Sequence, residues 1–162
     1  MVDLFEDLAI GYGYRRIKPQ PVQSMTIGRA RSEEDASHLV REIMTGFGFL
    51  EIMSMPITTE KDHFERFRLP IPDRYPRIAN TKLSTMKVVR THLMTGLLES
   101  LRKNRRHPMP LKLFEVDNVL LLDDESETGV REERRVAIVE MGEQAGYALI
   151  RSVVDALLFE FG

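Results

Sequence analysis

Between Val88 and Leu122 the apolar positions change period once. Leu93, Leu97, Leu98 and Leu101 recur at helical spacing, whereas beyond Pro108 and Pro110 the residues Leu111, Leu113, Val116, Val119 and Leu121 follow one another as in a strand. The spacing predicts a helix over 93–104. Thr91 or Thr95 is placed to supply a side-chain oxygen near its start, and Arg102, Lys103, Arg105 and Arg106 cluster where the negative end of the helix dipole favours cations. The strand after it is interrupted by Lys112 and Glu115, which suits burial on at least one face. An extended piece over 86–89 leads in, so Arg90, Thr91 and His92 stand at the head of the helix.

The clearest amphipathic stripe is Ala36, Leu39, Val40, Ile43, Met44 and Phe47, which predicts a helix from Ser32 to Phe47. Ser32 with Asp35 resembles a capping box, and Gly46 or Gly48 is placed to close the far end. Phe49 to Ile57 then reads as one strand. Its apolar residues Leu50, Ile52, Met53, Met55 and Ile57 are too dense for one wet face, so both faces are expected to be covered, by helices or by a partner chain. Pro56 lacks a ladder donor and belongs at a strand end or edge.

A short polar helix is expected within 58–68, capped by Thr58 or Thr59 and held down by Phe64 and Phe67. The proline-bearing stretch 69–78 should be a loop leading to a brief extended piece at 77–79, and 123–133 a polar hairpin connection. A strand over 135–141 and a helix over 145–161, on Leu149, Val153, Ala156, Leu157 and Phe161, complete the pattern. At the other end, Leu4, Phe5, Leu8 and Ala9 share one helical face within 2–10, with Gly11 and Gly13 able to end it. Tyr14 to Ile27, with Pro19 and Pro21, has no period and should be an extended linker. Helices and strands in this mixture predict an α+β fold. So few strands leave pairing edges open, so the chain is expected to be a piece of a larger fold.

Composition narrows the function classes. With 162 residues, 43% apolar and 30% charged, the chain is an ordinary globular domain. A net charge of -2 excludes a generally basic nucleic-acid binder and leaves local patches such as Arg102 to Arg106 open. Without cysteine there is no disulfide framework and no thiolate metal site. No apolar run approaches the roughly 18 residues of a membrane span, and the acidic start is unlike a signal peptide, so no membrane partner and a cytoplasmic location are expected. Two candidates carry chemistry. Arg90 either pairs with an acid or caps a neighbouring element, or else recognises an anion. Asp3, Glu6 and Asp7 stand at i, i+3 and i+4, where carboxylates either converge on a hard cation such as Mg²⁺ or form a solvated helix face.

Three segments, VDLFEDLAIGYGY at 2–14, REIMTGFGFLEIMSMPIT at 41–58 and VVRTHLMTGLLESLRKNRRHPMPLKLFEVDNVLLL at 88–122, together resemble the β subunit of phenylalanyl-tRNA synthetase of the archaeal and eukaryotic cytosolic type. The hairpin ETGVREERRVAIV and the helix at 150–161 continue the likeness, which covers nearly the whole chain in order. The resemblance implies that residues 1–14 close the preceding insertion domain, that 15–31 link, and that 32–162 form part of a core. That core would have the class II synthetase-like fold, a mainly antiparallel sheet flanked by helices and here incomplete. Gly48, Phe49 and Pro56 look like class II motif one, whose helix and strand form subunit interfaces, so Phe49, Ile52, Met53 and Pro56 are expected at an interface. Arg90, Thr91 and His92 are similar to an arginine-threonine element found in both subunits of the family.

Asp3, Glu6 and Asp7 match three of the four positions that the family assigns to a magnesium ion shared with the α subunit; the fourth would lie upstream of Met1. The arginine by which motif two holds the ATP α-phosphate aligns with Leu121, which offers neither charge nor a bidentate fork. Motif three is expected after Gly162. Asn80-Thr81 departs from the Asn-Pro usual in the family, which bears on the local loop shape. No catalytic residue is therefore assigned, and ATP is expected on the partner. The implied role is a scaffold and interface segment of phenylalanine-tRNA ligase, an ATP-dependent enzyme of two α and two β subunits acting with tRNA, and the isolated chain is expected to be inactive. The alternatives are a free-standing paralogue acting as a self-associating binding module, and an independent adenylating enzyme that would catalyse pyrophosphate exchange alone.

Overall fold

A computed structural model of the chain describes residues 2–21, 23, 26–81 and 85–161. They fall into two units, Met1–Ala30 and Arg31–Gly162. The first holds α1, Val2–Tyr12, and a 3-10 turn at Tyr14–Arg16. The helix runs through Gly11 and stops at Gly13, whose φ of 93° suits a residue without Cβ and whose N–H donates to Ala9 O at 3.0 Å. Leu4, Phe5 and Leu8, the expected apolar stripe, are exposed. Residues 17–21, 23 and 26–30 have no regular structure; Val22, Ser24 and Met25 of the expected linker lie outside the described residues.

The second unit runs α2 (Ser32–Gly46), β1 (Leu50–Glu51), β2 (Ile57–Thr58), α3 (Glu60–His63), β3 (Val88–Val89), α4 (Met94–Asn104), β4 (Leu111–Leu122), β5 (Val130–Met141) and α5 (Tyr147–Phe161). One sheet has the order β1-β4-β5 and a second pairs β2 with β3 antiparallel. β4 and β5 form an antiparallel hairpin, while β1 lies parallel to β4. The class is α+β, as the pattern predicts, and the main sheet is mixed, with the long β4–β5 ladder antiparallel and only the short β1 parallel. The chain crosses over through α4 between β1 and β4, and such a crossover returns the second strand in the direction of the first.

Period-two alternation along the hairpin sorts the core into two sides. Phe114, Val116 and Ile138 face α2 and α5, where Val40, Met44, Phe49, Val153 and Leu157 complete a cluster. Leu111, Leu113, Ala137, Val139 and Met141 face α4, meeting Leu97 and Leu101. The expected stripes of α2, α4 and α5 are thus the faces that pack, except that Phe47, Leu98 and Phe161 remain exposed.

Several boundaries differ from expectation, each for a local reason. Ser32 is the first helical residue and Arg31 the cap, without a side-chain bond, so the Ser32–Asp35 capping box does not form; Glu33, Glu34 and Asp35 instead face the positive end of the helix. At the other end Gly48 (φ 77°) donates to Thr45 O at 2.9 Å and Phe49 to Met44 O at 3.0 Å, a Schellman closure. The strand expected over 49–57 is two short pieces. Ser54 spends its N–H on the Glu115 carboxylate at 2.9 Å instead of on a ladder, and Pro56 has no N–H to give. β5 starts at Val130 rather than 135. Its charged first half stays in register with β4 because Arg134 donates to Asn118 Oδ1 at 2.7 Å and Asn118 Nδ2 donates to Glu132 Oε2 at 2.7 Å. Thr59 caps α3 by accepting from Asp62 N at 3.0 Å, and Phe64 is buried behind it. The expected extended piece at 77–79 reduces to a bridge between Arg77 and Val88.

Candidate functional site

The site grows from the handover of β3 to α4. Arg90 N–H donates to Pro56 O at 2.9 Å and its carbonyl accepts from Leu120 N at 3.0 Å, so its main chain ties the small sheet to β4. With the backbone fixed on both sides, the side chain is aimed inward. Nη1 lies 2.7 Å from Glu115 Oε1 and Nη2 lies 2.6 Å from Asp117 Oδ2. Nε donates to Asn118 O at 3.0 Å, and Nη1 also reaches Ser54 Oγ at 3.1 Å. Glu115 and Asp117 are two apart on β4 and therefore share a face. Arg90 is 4% exposed and Glu115 0%, and the Ser54 hydroxyl supplies the carboxylate's remaining hydrogen bond at 2.9 Å. Partial burial works against the charge on Asp117, but the Asn118 N–H and the Arg90 guanidinium outweigh it and hold the carboxyl below its ordinary range.

Beside this network lies a pair of histidines. His63 is fully buried at the end of α3, and its Nε2 accepts from Thr91 N–H at 3.2 Å while Thr91 Oγ1 lies at 2.9 Å. A main-chain amide only donates, so the proton sits on Nδ1, which donates to Thr95 Oγ1 at 3.0 Å. Thr91 and Thr95, expected to cap α4, thus fix this imidazole instead, and α4 begins after Leu93 with no side-chain cap. The His92 ring stacks on His63 with centroids 4.1 Å apart and meets Phe67 edge-on at 4.9 Å. Burial pushes His63 down to about 4, with His92 adding to the effect. Burial also lowers His92, the nearby main chain of His63 opposing and Arg135 assisting, and among the described residues neither His92 ring nitrogen finds a hydrogen-bond partner.

Arg90, His92 and Thr95 form the back of a cleft of about 360 Å³ whose rim carries Met53, Met55 and Lys103. Gly96 in α4 sets its depth, because a Cβ there would lie 2.1 Å from Ser54 Oγ and 2.3 Å from Ser54 Cβ. The same Ser54 hydroxyl donates to Glu115 Oε1 at 2.9 Å.

The residues expected at an interface separate. Phe49 is 2% exposed and belongs to this chain's own core, and Ile52 is half-buried against the α4-side cluster. Met53 is 88% exposed, Pro56 is exposed, and Leu50 and Met55, which the expected set omitted, are open to solvent as well. Asp3, Glu6 and Asp7 are exposed on α1, and among the described residues no three His, Asp or Glu side chains come together to hold a metal ion. Leu121 sits half-buried on β4 opposite Arg131. Glu115, Asp117, Ser54 and His63 were not singled out as site residues. Glu115, charged inside an apolar strand and two before Asp117, carried the readable signal.

Residues 18–162 match the family model described as the phenylalanyl tRNA synthetase beta chain CLM domain. The chain belongs to that family. It is 35% identical over 158 residues to the phenylalanine-tRNA ligase beta subunit of Drosophila melanogaster, covering 96% of this chain and 27% of that protein. The corresponding subunit of Methanopyrus kandleri is 31% identical, with 98% and 27% covered, and that of Homo sapiens 29%, with 96% and 27% covered. This CLM-family chain therefore spans 27% of the length of each of these relatives. Among its described residues no helix is long and apolar enough to cross a membrane.

Proposed function

We propose that this chain is part of the β subunit of a phenylalanine-tRNA ligase, and that it serves there as a non-catalytic scaffold with a class II synthetase-like core. The observation that carries this reading is the state of Arg90. Adenylation needs cations free to take up the charge of a phosphate, and an arginine does so through its open guanidinium fork. Here the fork is occupied by Glu115 and Asp117 of the same chain, and Leu121 stands where the resemblance would put the phosphate-binding arginine. ATP, phenylalanine and the transfer to tRNA are accordingly the work of an α subunit, in a cytoplasmic complex of two α and two β subunits. If Mg²⁺ is held at Asp3, Glu6 and Asp7, it takes further ligands from that partner or from other β segments.

Two surfaces support a role inside an assembly. Leu50, Met53 and Met55 present exposed apolar side chains, and the two methionines line the cleft. β5 is a 12-residue strand whose outer edge has no strand partner among the described residues, an open template for pairing. Size-exclusion chromatography of the chain mixed with purified α subunit is expected to show co-elution, and pyrophosphate exchange by the chain alone should stay at background. Absence of association even with the flanking β segments restored would end the reading. Self-association without α binding would favour the free-standing paralogue, and ATP- and phenylalanine-dependent exchange by the chain alone would favour an independent adenylating enzyme.

A further inference from the structure

The cationic turn at the end of α4 is not used by anything described so far. Asn104, Arg105, Arg106 and His107 form a tight turn closed by His107 N–H donating to Asn104 O at 2.9 Å, and all four are exposed. Cations after a helix commonly serve its free carbonyls. These do not: Ser100 O is taken by Asn104 Nδ2 at 2.8 Å and Asn104 O by the His107 amide, and among the described residues no hydrogen bond or ion pair involves either guanidinium. Arg41, Arg66, Arg74, Arg134 and Arg151 each face a carboxylate, and one turn earlier Lys103 is tied to Glu99 at 2.9 Å. Some surface arginines of this unit, such as Arg31 and Arg68, also lack a carboxylate partner among the described residues, but Arg105 and Arg106 are neighbours in sequence, carried side by side on a hydrogen-bonded turn of a chain whose net charge is -2.

We infer that Arg105 and Arg106 form a contact for the phosphate backbone of structured RNA, with tRNA as the partner. The choice of tRNA rests on the ligase reading above; the chemistry does not. Two neighbouring guanidiniums bridge successive phosphates by charge and bidentate hydrogen bonding, without reading bases. Such a contact is sequence-independent and positions the RNA on the scaffold, and no group in the cleft takes part in it.

The test titrates fluorescein-labelled tRNA with the chain and follows anisotropy between about 50 and 200 mM salt. Arg105→Ala/Arg106→Ala is expected to weaken binding about tenfold at low salt and to flatten the slope of log K against log salt by about 1–2, the counterions of two phosphates. Arg105→Lys/Arg106→Lys should keep the slope and most of the affinity, and since both positions are exposed the melting curves of all three proteins should coincide. A wild-type chain that does not bind tRNA, or an alanine variant with unchanged affinity and slope, overturns the inference. So does an alanine variant that binds tRNA normally but no longer co-elutes with the α subunit, which would make the turn a protein contact. Failure of the wild type to co-elute with α, with salt-dependent RNA binding intact, removes the ligase reading and leaves the RNA contact standing.

Discussion

Arg90 and Glu115 are both withdrawn from water, so neither charge has solvent to turn to when its partner is removed. Glu115→Leu is expected to cost about 3–5 kcal/mol in urea unfolding, because the guanidinium is left with Asp117 as its one carboxylate and Ser54 loses its acceptor. Arg90→Met should cost a similar amount, and combining the two should cost less than their sum, the sign of a coupled pair. Asp155→Ala, which removes the exposed partner of Arg151, sets the contrast at about 0.5 kcal/mol or less. If Glu115→Leu proves as mild as that surface change, the buried network is not a structural keystone. His63 makes a prediction of the opposite kind, since burial favours its neutral form. Its folded value is about 4 against an ordinary 6.5, so below pH 6.5 the unfolded chain binds the proton first. The contribution of His63 is complete above pH 6.5 and is lost as pH falls toward 4, by about 3 kcal/mol in all. Replacing it by glutamine should remove that part of the pH dependence of the urea midpoint; an unchanged acid limb would show that other groups drive it.

At the scale of elements, α4 lies as close as it does because residue 96 has no side chain. Gly96→Ala would raise intrinsic helix propensity by about 1 kcal/mol, but its Cβ would meet Ser54 Oγ and Cβ inside 2.5 Å, and Ser54 is anchored to Glu115. The clash should win, with a net loss of about 1–3 kcal/mol and a looser cleft. Ser54→Gly in the same chain should recover part of it, and additive effects in that double-mutant cycle would show that the two residues do not touch. Local pattern made α2, α4, α5 and β4 legible, because a stripe or an alternation is a property of neighbouring residues and these stripes are the faces that pack. The broken strand at 50–58 and the early start of β5 were not legible. Both depend on partners far along the chain, Glu115 for Ser54 and Asn118 for Arg134, and no local period encodes them. The same reason hid the histidine pair: Thr91 and Thr95 looked like caps until α3 brought His63 between them. Arg90 was visible as a candidate, yet which of its two readings applied depended on the register that sets Glu115 and Asp117 opposite it.

For the whole molecule the open question of surface is where a partner sits, and the methionines offer a way to read it. Met53 and Met55 are exposed beside the cleft, Met109 is exposed on the segment before β4, and Met44 is wholly buried in the α2-side core. Oxidation of a thioether by peroxide needs access to the sulfur, so in the free chain Met53, Met55 and Met109 should convert quickly and Met44 slowly. If the apolar group of Leu50, Met53 and Met55 is a docking surface for the α subunit, forming the complex should slow Met53 and Met55 several-fold while leaving Met109 fast. Met109 follows the cationic turn at 105–106 by a few residues, so adding tRNA to that complex is the step expected to slow it. The order of protection then separates the two surfaces within one mass-spectrometric experiment. Met53 and Met55 oxidising at their free rates in a complex that demonstrably contains both chains would place the partner elsewhere on the unit, and the unpaired edge of β5 would be the next surface to probe.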